Sequence, residues 1–279
     1  MAPKKATEQP IANGPIEDER RKQIDFYREE VDPEEEITRP RCYSRPVQFL
    51  LDFKIRTLLK LFEDLGEGHP AGTMLVVCCG SGMESEMLAR QATKIIALDF
   101  SMEAILRAKE RAQRFGVNYD LVVGDAESLP FRPGSVEFAL VHDGLHHLPD
   151  PYKGLSEMAR VARRAVLVAE PADGVLTNLA IKLTVASHYE DAGNFVYRLR
   201  PERVIQVFKE FGFKGCKYTC NLIYYQPWTF KIYKLFERQP FYAIFRLVFG
   251  LTNLLVGRWG NSLRIVGAKP CKATALRRE

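Results

Sequence analysis

No run of about 20 uninterrupted apolar residues, the length a bilayer-crossing helix needs, occurs in this 279-residue chain. Its opening, Met1-Ala-Pro-Lys-Lys, lacks the apolar core of a secretion signal. Its end lacks the C-a-a-X pattern of a prenylation site, so the expected location is cytoplasmic. Six cysteines (Cys42, Cys78, Cys79, Cys216, Cys220, Cys271) share no framework spacing. The Cys-x3-Cys pair at 216 and 220 has no second pair to complete four metal ligands, so reduced thiols are expected and no metal. Internal repeats are also absent. With 46 % hydrophobic and 27 % charged residues, the composition excludes the disordered and fibrous classes. The length suits one large domain with insertions.

Charge is present but unevenly placed. Arg198 to Glu279 holds 16 Lys+Arg against 4 Asp+Glu, a balance of +12, while residues 1–197 carry −7. Such a split fits either an acidic surface or ligand meeting the C-terminal third, or a solvated basic face balanced within the molecule.

Residues 1–40 are highly charged and poor in large apolar side chains, so this segment is expected to be disordered or partly helical. Asp32-Pro-Glu-Glu-Glu reads as a solvated turn or a helix start. From Pro46, apolar residues at helical spacing (Leu51, Ile55, Leu58, Phe62, Leu65) predict an amphipathic helix ending near Gly66. Strand and helix then alternate. Met74–Cys78, Lys94–Asp99, Asp120–Val123, Val136–His142 and Ala165–Glu170 read as strands. Met83–Gln91, Ser101–Phe115 and Tyr152–Val161 read as the helices between them. Strand–helix–strand repetition with short links predicts parallel pairing and right-handed crossovers, an α/β doubly wound sheet. Pro201–Phe211 reads as a further helix, Lys214–Tyr225 and Ser262–Lys269 as strands, and 173–199 and 226–259 as helical insertions. The domain is expected to run from 41 to 279.

The chemistry concentrates at strand ends. Cys78-Cys79-Gly80-Ser81-Gly82 follows the first strand and opens a helix, the context in which a glycine turn lets backbone approach a ligand. Asp99 closes the second strand, where a carboxylate accepts from ribose hydroxyls; a helix cap with Ser101 is the plainer alternative. Gly124-Asp125-Ala126-Glu127-Ser128-Leu129-Pro130-Phe131 follows the third strand. His142-Asp143-Gly144-Leu145-His146-His147-Leu148-Pro149-Asp150 follows the fourth.

With the Gly-Asp-Ala-x-x-Leu-Pro-Phe segment and the Leu-His-His-Leu-Pro-Asp loop, the chain resembles class I S-adenosylmethionine-dependent methyltransferases over about residues 74–170. The resemblance implies a seven-stranded Rossmann-like sheet with an antiparallel last strand, S-adenosyl-L-methionine as cofactor, and a small-molecule or lipid acceptor. It implies that the turn Cys78, Cys79, Gly80, Ser81 and Gly82 holds the methionine part, and that Asp99, with Ser101 beside it, holds the ribose. Asp125, Ala126 and the adjoining Glu127 would meet the adenine, with Phe100 and Met102 on its faces; His142 completes the set. His147 is the expected catalytic base, and a loop-tying role is the alternative for it and the favoured one for His146. Tyr27 and Tyr43 are candidates to close over the site. Glu190-Asp191-Ala192-Gly193-Asn194 and Tyr197-Arg198 are candidates to line the acceptor pocket. Three positions depart from the family pattern: Val76 replaces an acid, Cys78 replaces a glycine, and Arg163-Arg164 replaces a Pro-Gly-Gly turn. A cysteine at 78 fits only with ordinary backbone torsions.

In Thr229–Arg238, Lys231, Lys234 and Arg238 share one helical stripe, and Phe230, Tyr233 and Phe236 another. Phe241–Val256 is nearly all apolar, broken by Arg246, and is too short to span a bilayer. Three readings stand for 226–259: peripheral contact with an anionic membrane, a wall around a lipophilic acceptor, or a cap or homodimer interface. Two other functions compete with methyl transfer. A nicotinamide oxidoreductase would want a third glycine, which Gly80-Ser81-Gly82-Met83-Glu84-Ser85 lacks. A catalytically silent cofactor-binding module is the other. Nucleic acid is not the expected partner, because no Asn-Pro-Pro-Tyr loop follows the fourth strand.

Overall fold

Val76-Val77, Phe138–Val141 and Ala165–Ala169 are buried at every position, which only a sheet covered on both faces allows. The computed structural model describes residues 25, 28–67, 71–89, 94–183, 187–189, 195–224 and 227–270. Seven strands form one sheet: β1 (Thr73–Val77), β2 (Lys94–Asp99), β3 (Asp120–Val123), β4 (Val136–His142), β5 (Ala162–Pro171), β6 (Gly215–Asn221) and β7 (Ser262–Ala268). Their order is β3-β2-β1-β4-β5-β7-β6, with β1 to β5 pairing in parallel and β7 antiparallel to both β5 and β6. The antiparallel last strand is the one expected.

Successive side chains along a strand point to opposite faces. Leu75, Val77, Ala139, Val141, Val166 and Val168 therefore join one cluster, and Met74, Val76, Phe138, Leu140, Leu167 and Ala169 the other. The first face is covered by the helices Pro151–Val161 and Pro201–Glu210, the second by Arg45–Phe62, Met83–Ala89 and Met102–Phe115. In chain order the helices are α1 (Pro33–Thr38), α2 (Arg45–Phe62), α3 (Met83–Ala89), α4 (Met102–Phe115), α5 (Pro151–Val161), α6 (Val175–Lys182), α7 (Pro201–Glu210), α8 (Pro227–Tyr233) and α9 (Phe241–Val256). Strand order reverses between β1 and β4, and ligands of open α/β sheets bind beyond the carboxyl ends at such a point.

Boundaries match the sequence reading closely for β2, β3 and β4 and shift elsewhere. β5 begins at Ala162 rather than Ala165, because Arg163 and Arg164 continue the strand instead of turning. Arg163 pairs with Glu137 of β4, and the Arg164 guanidinium lies 5.0 Å over the Phe138 ring. β6 stops at Asn221, short of the expected Tyr225, which lies outside the described residues. Residues 1–24 and Tyr27 also lie outside them.

The Asp32 segment is a helix start rather than a solvated turn. Asp32 caps α1 by accepting from the Glu34 N–H at 2.9 Å, and Glu36 and Ile37 are buried. What holds α1 down is Arg111 of α4, a fully buried guanidinium. It donates to Glu86 at 3.1 Å, to the Glu36 carbonyl at 3.0 Å and to the Arg39 carbonyl. Arg41 binds the other side of Glu86. Removing one member of a buried ion pair leaves the other desolvated, at a cost of about 3 kcal/mol or more. Arg111→Met should lower stability by that amount in urea unfolding and expose residues 33–43 to limited proteolysis.

Candidate functional site

At the carboxyl rim of the sheet, Val77, Leu98 and Val141 lie side by side, so the loops after β1, β2 and β4 start together. The first loop contains Cys78 at φ 54, Gly80 at φ 50 and Gly82 at φ 81. Cys78 therefore adopts a left-handed torsion rather than the ordinary torsions that a cysteine there was expected to require. Such a torsion costs a side-chain-bearing residue about 1–2 kcal/mol. Its Cβ points at Gly144, where an added Cβ would sit 2.4 Å away, so a glycine after β4 makes room for the cysteine after β1.

Asp99, at the end of β2, ties the rim together. Its Oδ2 accepts from the Gly80 N–H at 2.9 Å and its Oδ1 from the Ser101 N–H at 3.0 Å. Ser101 is the N-cap of α4, its Oγ accepting from the Ala104 N–H, so the cap role belongs to Ser101 and leaves Asp99 to the loop. Burial pushes the Asp99 carboxyl above the usual carboxylate range. Beside it Phe100 and Met102 stand 39 % and 54 % exposed, apolar side chains at the mouth of a polar rim. After β3, Asp125 forms a tight turn by accepting from the Glu127 N–H at 2.8 Å, and Ala126 is buried. Glu127 Oε1 accepts from the Asp150 N–H at 3.2 Å, which joins this loop to the one after β4.

Cys79 is buried, its N–H donating to the Leu98 carbonyl at 2.9 Å. The Ser81 hydroxyl donates to the Glu36 carbonyl at 2.8 Å, so the N-terminal helix packs behind the glycine turn. Burial, with Asp99 beside both, pushes the Cys78 and Cys79 thiols well up. Asp99, Glu170 and Asp125 all act on Cys78 in that direction, so three carboxyl groups lie near the turn.

The loop after β4 is organised by carboxylates. Glu170, fully buried at the end of β5, accepts from the Gly144 and Leu145 N–H groups at 2.7 and 2.8 Å and from His146 N–H at 3.3 Å. It also takes His146 Nδ1 at 2.7 Å. His146 is thus the loop-tying histidine, as favoured. His147 packs against it, ring centres 4.1 Å apart and planes tilted by 36°, and is half-buried at the rim. His142 is buried, with Nδ1 2.5 Å from Glu84 of α3 and Nε2 3.3 Å from Asp143. Asp143, at φ 49, is also paired with buried Lys54 of α2. Burial pushes Asp143 up, but Lys54, then His142 and His146, outweigh it and hold the carboxyl well below its usual range. Glu84 likewise stays low against burial because His142 faces it.

Glu84, Asp143, Glu170 and Lys54 were not among the residues expected from sequence. A signal existed for two of them: Glu170 ends a wholly apolar run, and Lys54 falls on the apolar face of its helix beside Leu50, Leu51 and Leu58. Tyr43 does not close over the rim. Its ring packs on Phe230 with centres 5.0 Å apart, and its hydroxyl donates to Glu35 at 2.8 Å. Glu190–Asn194 lie outside the described residues, while Tyr197 meets Phe195 edge to face and Arg198 donates to the Ser187 carbonyl. Among the described residues no group of three or more potential ligands gathers to hold a metal ion.

A strand-order reversal, a glycine turn after β1, an acid ending β2 and a terminal antiparallel strand define the class I S-adenosylmethionine-dependent methyltransferase fold. Residues 75–169 match the family described as "Methyltransferase domain". A demethylmenaquinone methyltransferase of Desulfitobacterium hafniense is 36 % identical over 109 residues, 37 % of this chain and 42 % of the relative. One of Oceanobacillus iheyensis is 38 % identical over 95 residues, 33 % and 40 %. The chain thus spans about two fifths of the length of the curated relatives it matches. Among solved structures, magnesium protoporphyrin IX methyltransferase of Synechocystis PCC 6803 with bound SAM superposes with a TM-score of 0.56, at 14 % identity. That alignment covers 93 % of this chain and 100 % of the other. The YcgJ protein of Bacillus subtilis gives 0.53 at 20 % identity, covering 77 % and 99 %. Residues 75–169 are thus similar to a methyltransferase domain, and the whole chain shares the fold of these solved structures.

The Lys54–Asp143 pair yields a prediction with a defined sign. In the native protein Asp143 is held low, so its contribution to stability is present above the unfolded-state value near 3.9 and fades only below it. Lys54→Met removes the main counter-charge, so burial then dominates and the carboxyl rises. The variant should lose about 3 kcal/mol at neutral pH and regain part of it as pH falls through the raised value. Urea midpoints measured from pH 4 to 8 test this; parallel curves for both proteins refute it.

Proposed function

We propose that this protein transfers a methyl group from S-adenosyl-L-methionine, in line, to a small lipophilic acceptor. The observation that carries the reading is the electronegative rim. Asp99, Asp125 and Glu170 surround the Cys78 turn, and Glu84 sits in the first turn of α3. A sulfonium bearing an ammonium group is stabilised in such a field, whereas the pyrophosphate of a nicotinamide dinucleotide is repelled by it. A dinucleotide site instead presents a carboxylate-free helix N-terminus to its phosphates.

In this proposal the Cys78, Cys79, Gly80, Ser81 and Gly82 backbone receives the methionine part and Asp99 the ribose hydroxyls. Asp125, Ala126 and Glu127 meet the adenine edge, with Phe100 and Met102 against its faces. The hydroxyl of Ser81 and the ring of His142 are already engaged, with Glu36 and with Glu84. Ser81 therefore acts through its backbone, and His142 positions Glu84. The cofactor supplies an electrophilic methyl on a good leaving group, so the protein's task is alignment and exclusion of water. Where the acceptor is a hydroxyl, His147 takes its proton, held at the rim by the adjoining His146, which Glu170 fixes.

For the acceptor class, the curated relatives are named for a quinone substrate, and a lipophilic acceptor of that kind suits this chain. The exposed apolar side chains Val175 and Leu179 of α6 follow directly from the end of β5 beside the rim. A cytoplasmic protein, one or two copies per assembly, satisfies the scheme.

Calorimetric titration should give heat with S-adenosyl-L-methionine and none with NADH; the reverse pattern overturns the proposal. Asp99→Ala should weaken cofactor binding at least ~100-fold, since it deletes an acceptor for two hydroxyls. His147→Ala should leave that affinity unchanged and slow transfer ~100-fold. A screen with methyl-labelled cofactor against quinols, lipids and polar acceptors identifies the substrate. Cofactor binding without labelling of any class would make the protein a silent binding module.

A further inference from the structure

α9 inverts the usual arrangement of a surface helix. Its exposed positions Phe241, Ile244, Leu247, Val248, Leu251, Leu254 and Leu255 recur at three- and four-residue spacing, the stripe that soluble proteins turn inward. No residue of the helix is buried. The cap reading holds only for the aromatic side of the helix, where Phe245 and Phe249 pack on Phe49, while the aliphatic stripe faces outward. With the one-turn extension Gly257–Trp259 the apolar stretch reaches 19 residues, of which 6 % is buried, and by length and composition it could cross a membrane. That also corrects the estimate of a stretch too short to span.

The helix is held along the body of the protein. Near its start Arg45 of α2 lies 4.3 Å over the Tyr242 ring. Phe245 and Phe249 pack edge-on against Phe49 of α2. Near its end Asn253 accepts from the Leu222 N–H at 2.8 Å and donates to the Leu222 carbonyl at 3.1 Å. A helix fastened at both ends to a folded domain lies flat, and its outward stripe is then presented sideways along its full length.

A second apolar stripe joins it. Val175, Leu179 and Leu183 on and just after α6 are 65 %, 50 % and 62 % exposed. The start of α6 touches the end of α9's extension, since a Cβ on Gly174 would lie 2.1 Å from the Gly260 carbonyl oxygen. Exposed cations flank α9 along the chain: Lys231, Lys234 and Arg238 precede it and Arg258 follows it, with Glu237 as the acid among them and Arg246 within the helix over Phe49. Exposed Trp259 stands beside Arg258, 3.9 Å from its guanidinium. An apolar face rimmed by cations and aromatics matches an anionic lipid surface, with side chains in the acyl boundary and cations at the headgroups. Two copies pairing through this face would instead bring like charges together.

We propose that α9 and the adjoining α6 stripe dock the protein flat on an anionic membrane. Resting on the lipophilic-acceptor reading for its purpose, this docking turns the rim beside α6 toward the lipid phase from which such an acceptor comes.

The test is co-sedimentation of the full chain with vesicles of phosphatidylcholine containing about one third phosphatidylglycerol, against phosphatidylcholine alone. The wild-type chain should pellet with the first and ~10-fold less with the second. The triple variant Leu247→Glu, Leu251→Glu, Leu254→Glu changes outward side chains only. It should keep its cofactor affinity, which monitors folding, while partition falls at least ~10-fold. Lys231→Gln with Lys234→Gln should weaken partition by roughly fivefold per charge. A wild-type chain that stays in the supernatant with both vesicles overturns the proposal, as does a triple variant that pellets equally well. So does a wild-type dimer, absent in the triple variant, that ignores vesicles. No acceptor enters this measurement. A protein that pellets but methylates nothing keeps the membrane surface and loses only the activity reading.

Discussion

One buried carboxylate sets the geometry on which the rim depends. Glu170 sits where β5 leaves the sheet and collects three successive backbone N–H groups and one imidazole from the loop after β4. An ionised carboxylate out of water is tolerated only with its acceptor sites filled, so the loop and the acid stabilise each other. Fixing that loop brings Gly144 against Cys78 and places His147 at the edge of the crevice. The strained torsion at Cys78 persists because its neighbours leave no room for another arrangement, which is how strain survives at functional sites.

Around this centre the charges follow a consistent pattern. Lys54 faces Asp143 and His142 faces Glu84 behind the rim, while Asp99 and Asp125 hold the loops after β1, β2 and β3 through backbone N–H groups. The missing acid at Val76 is then less consequential than its absence from the motif implies. Position 76 is filled by a buried side chain that packs with Met74 and Leu140. The electronegative character is carried by groups from β2, β3 and β5 instead.

Much of this was legible in the chain. The strand ends at Asp99, Val123 and His142 fell where the periodicity placed them, because a doubly covered sheet demands unbroken apolar runs that stop sharply at polar loops. The glycine turn, Asp99 and the histidine loop do converge at one rim. The sequence does not show which polar side chains turn inward. Lys54 resembles an ordinary break in an amphipathic pattern, and its partner Asp143 lies 89 positions away. His146 and His147 are equivalent as letters; only the position of Glu170 marks His146 as the tying ring. Arg163-Arg164 read as a lost turn, yet cross-strand pairing with Glu137 makes those residues strand.

The same limit explains α9. A stripe of leucine and phenylalanine at helical spacing is the signature of a core-facing helix and also of a membrane-facing one, since both seek an apolar medium. What separates them is whether the fold offers that medium, and here it does not. The inner face of α9 is satisfied by Phe49 and Asn221-Leu222, so the stripe on its other side has no protein partner among the described residues. Charge then narrows the choice of medium. The C-terminal excess of +12, ambiguous along the sequence, includes the four cations that frame this one face. Apolar surface of that extent is stabilised by leaving water, and cations clustered around it are stabilised by anions at the same depth. A lipid bilayer bearing anionic headgroups offers both in one layer, whereas a second copy of the chain offers the apolar half alone.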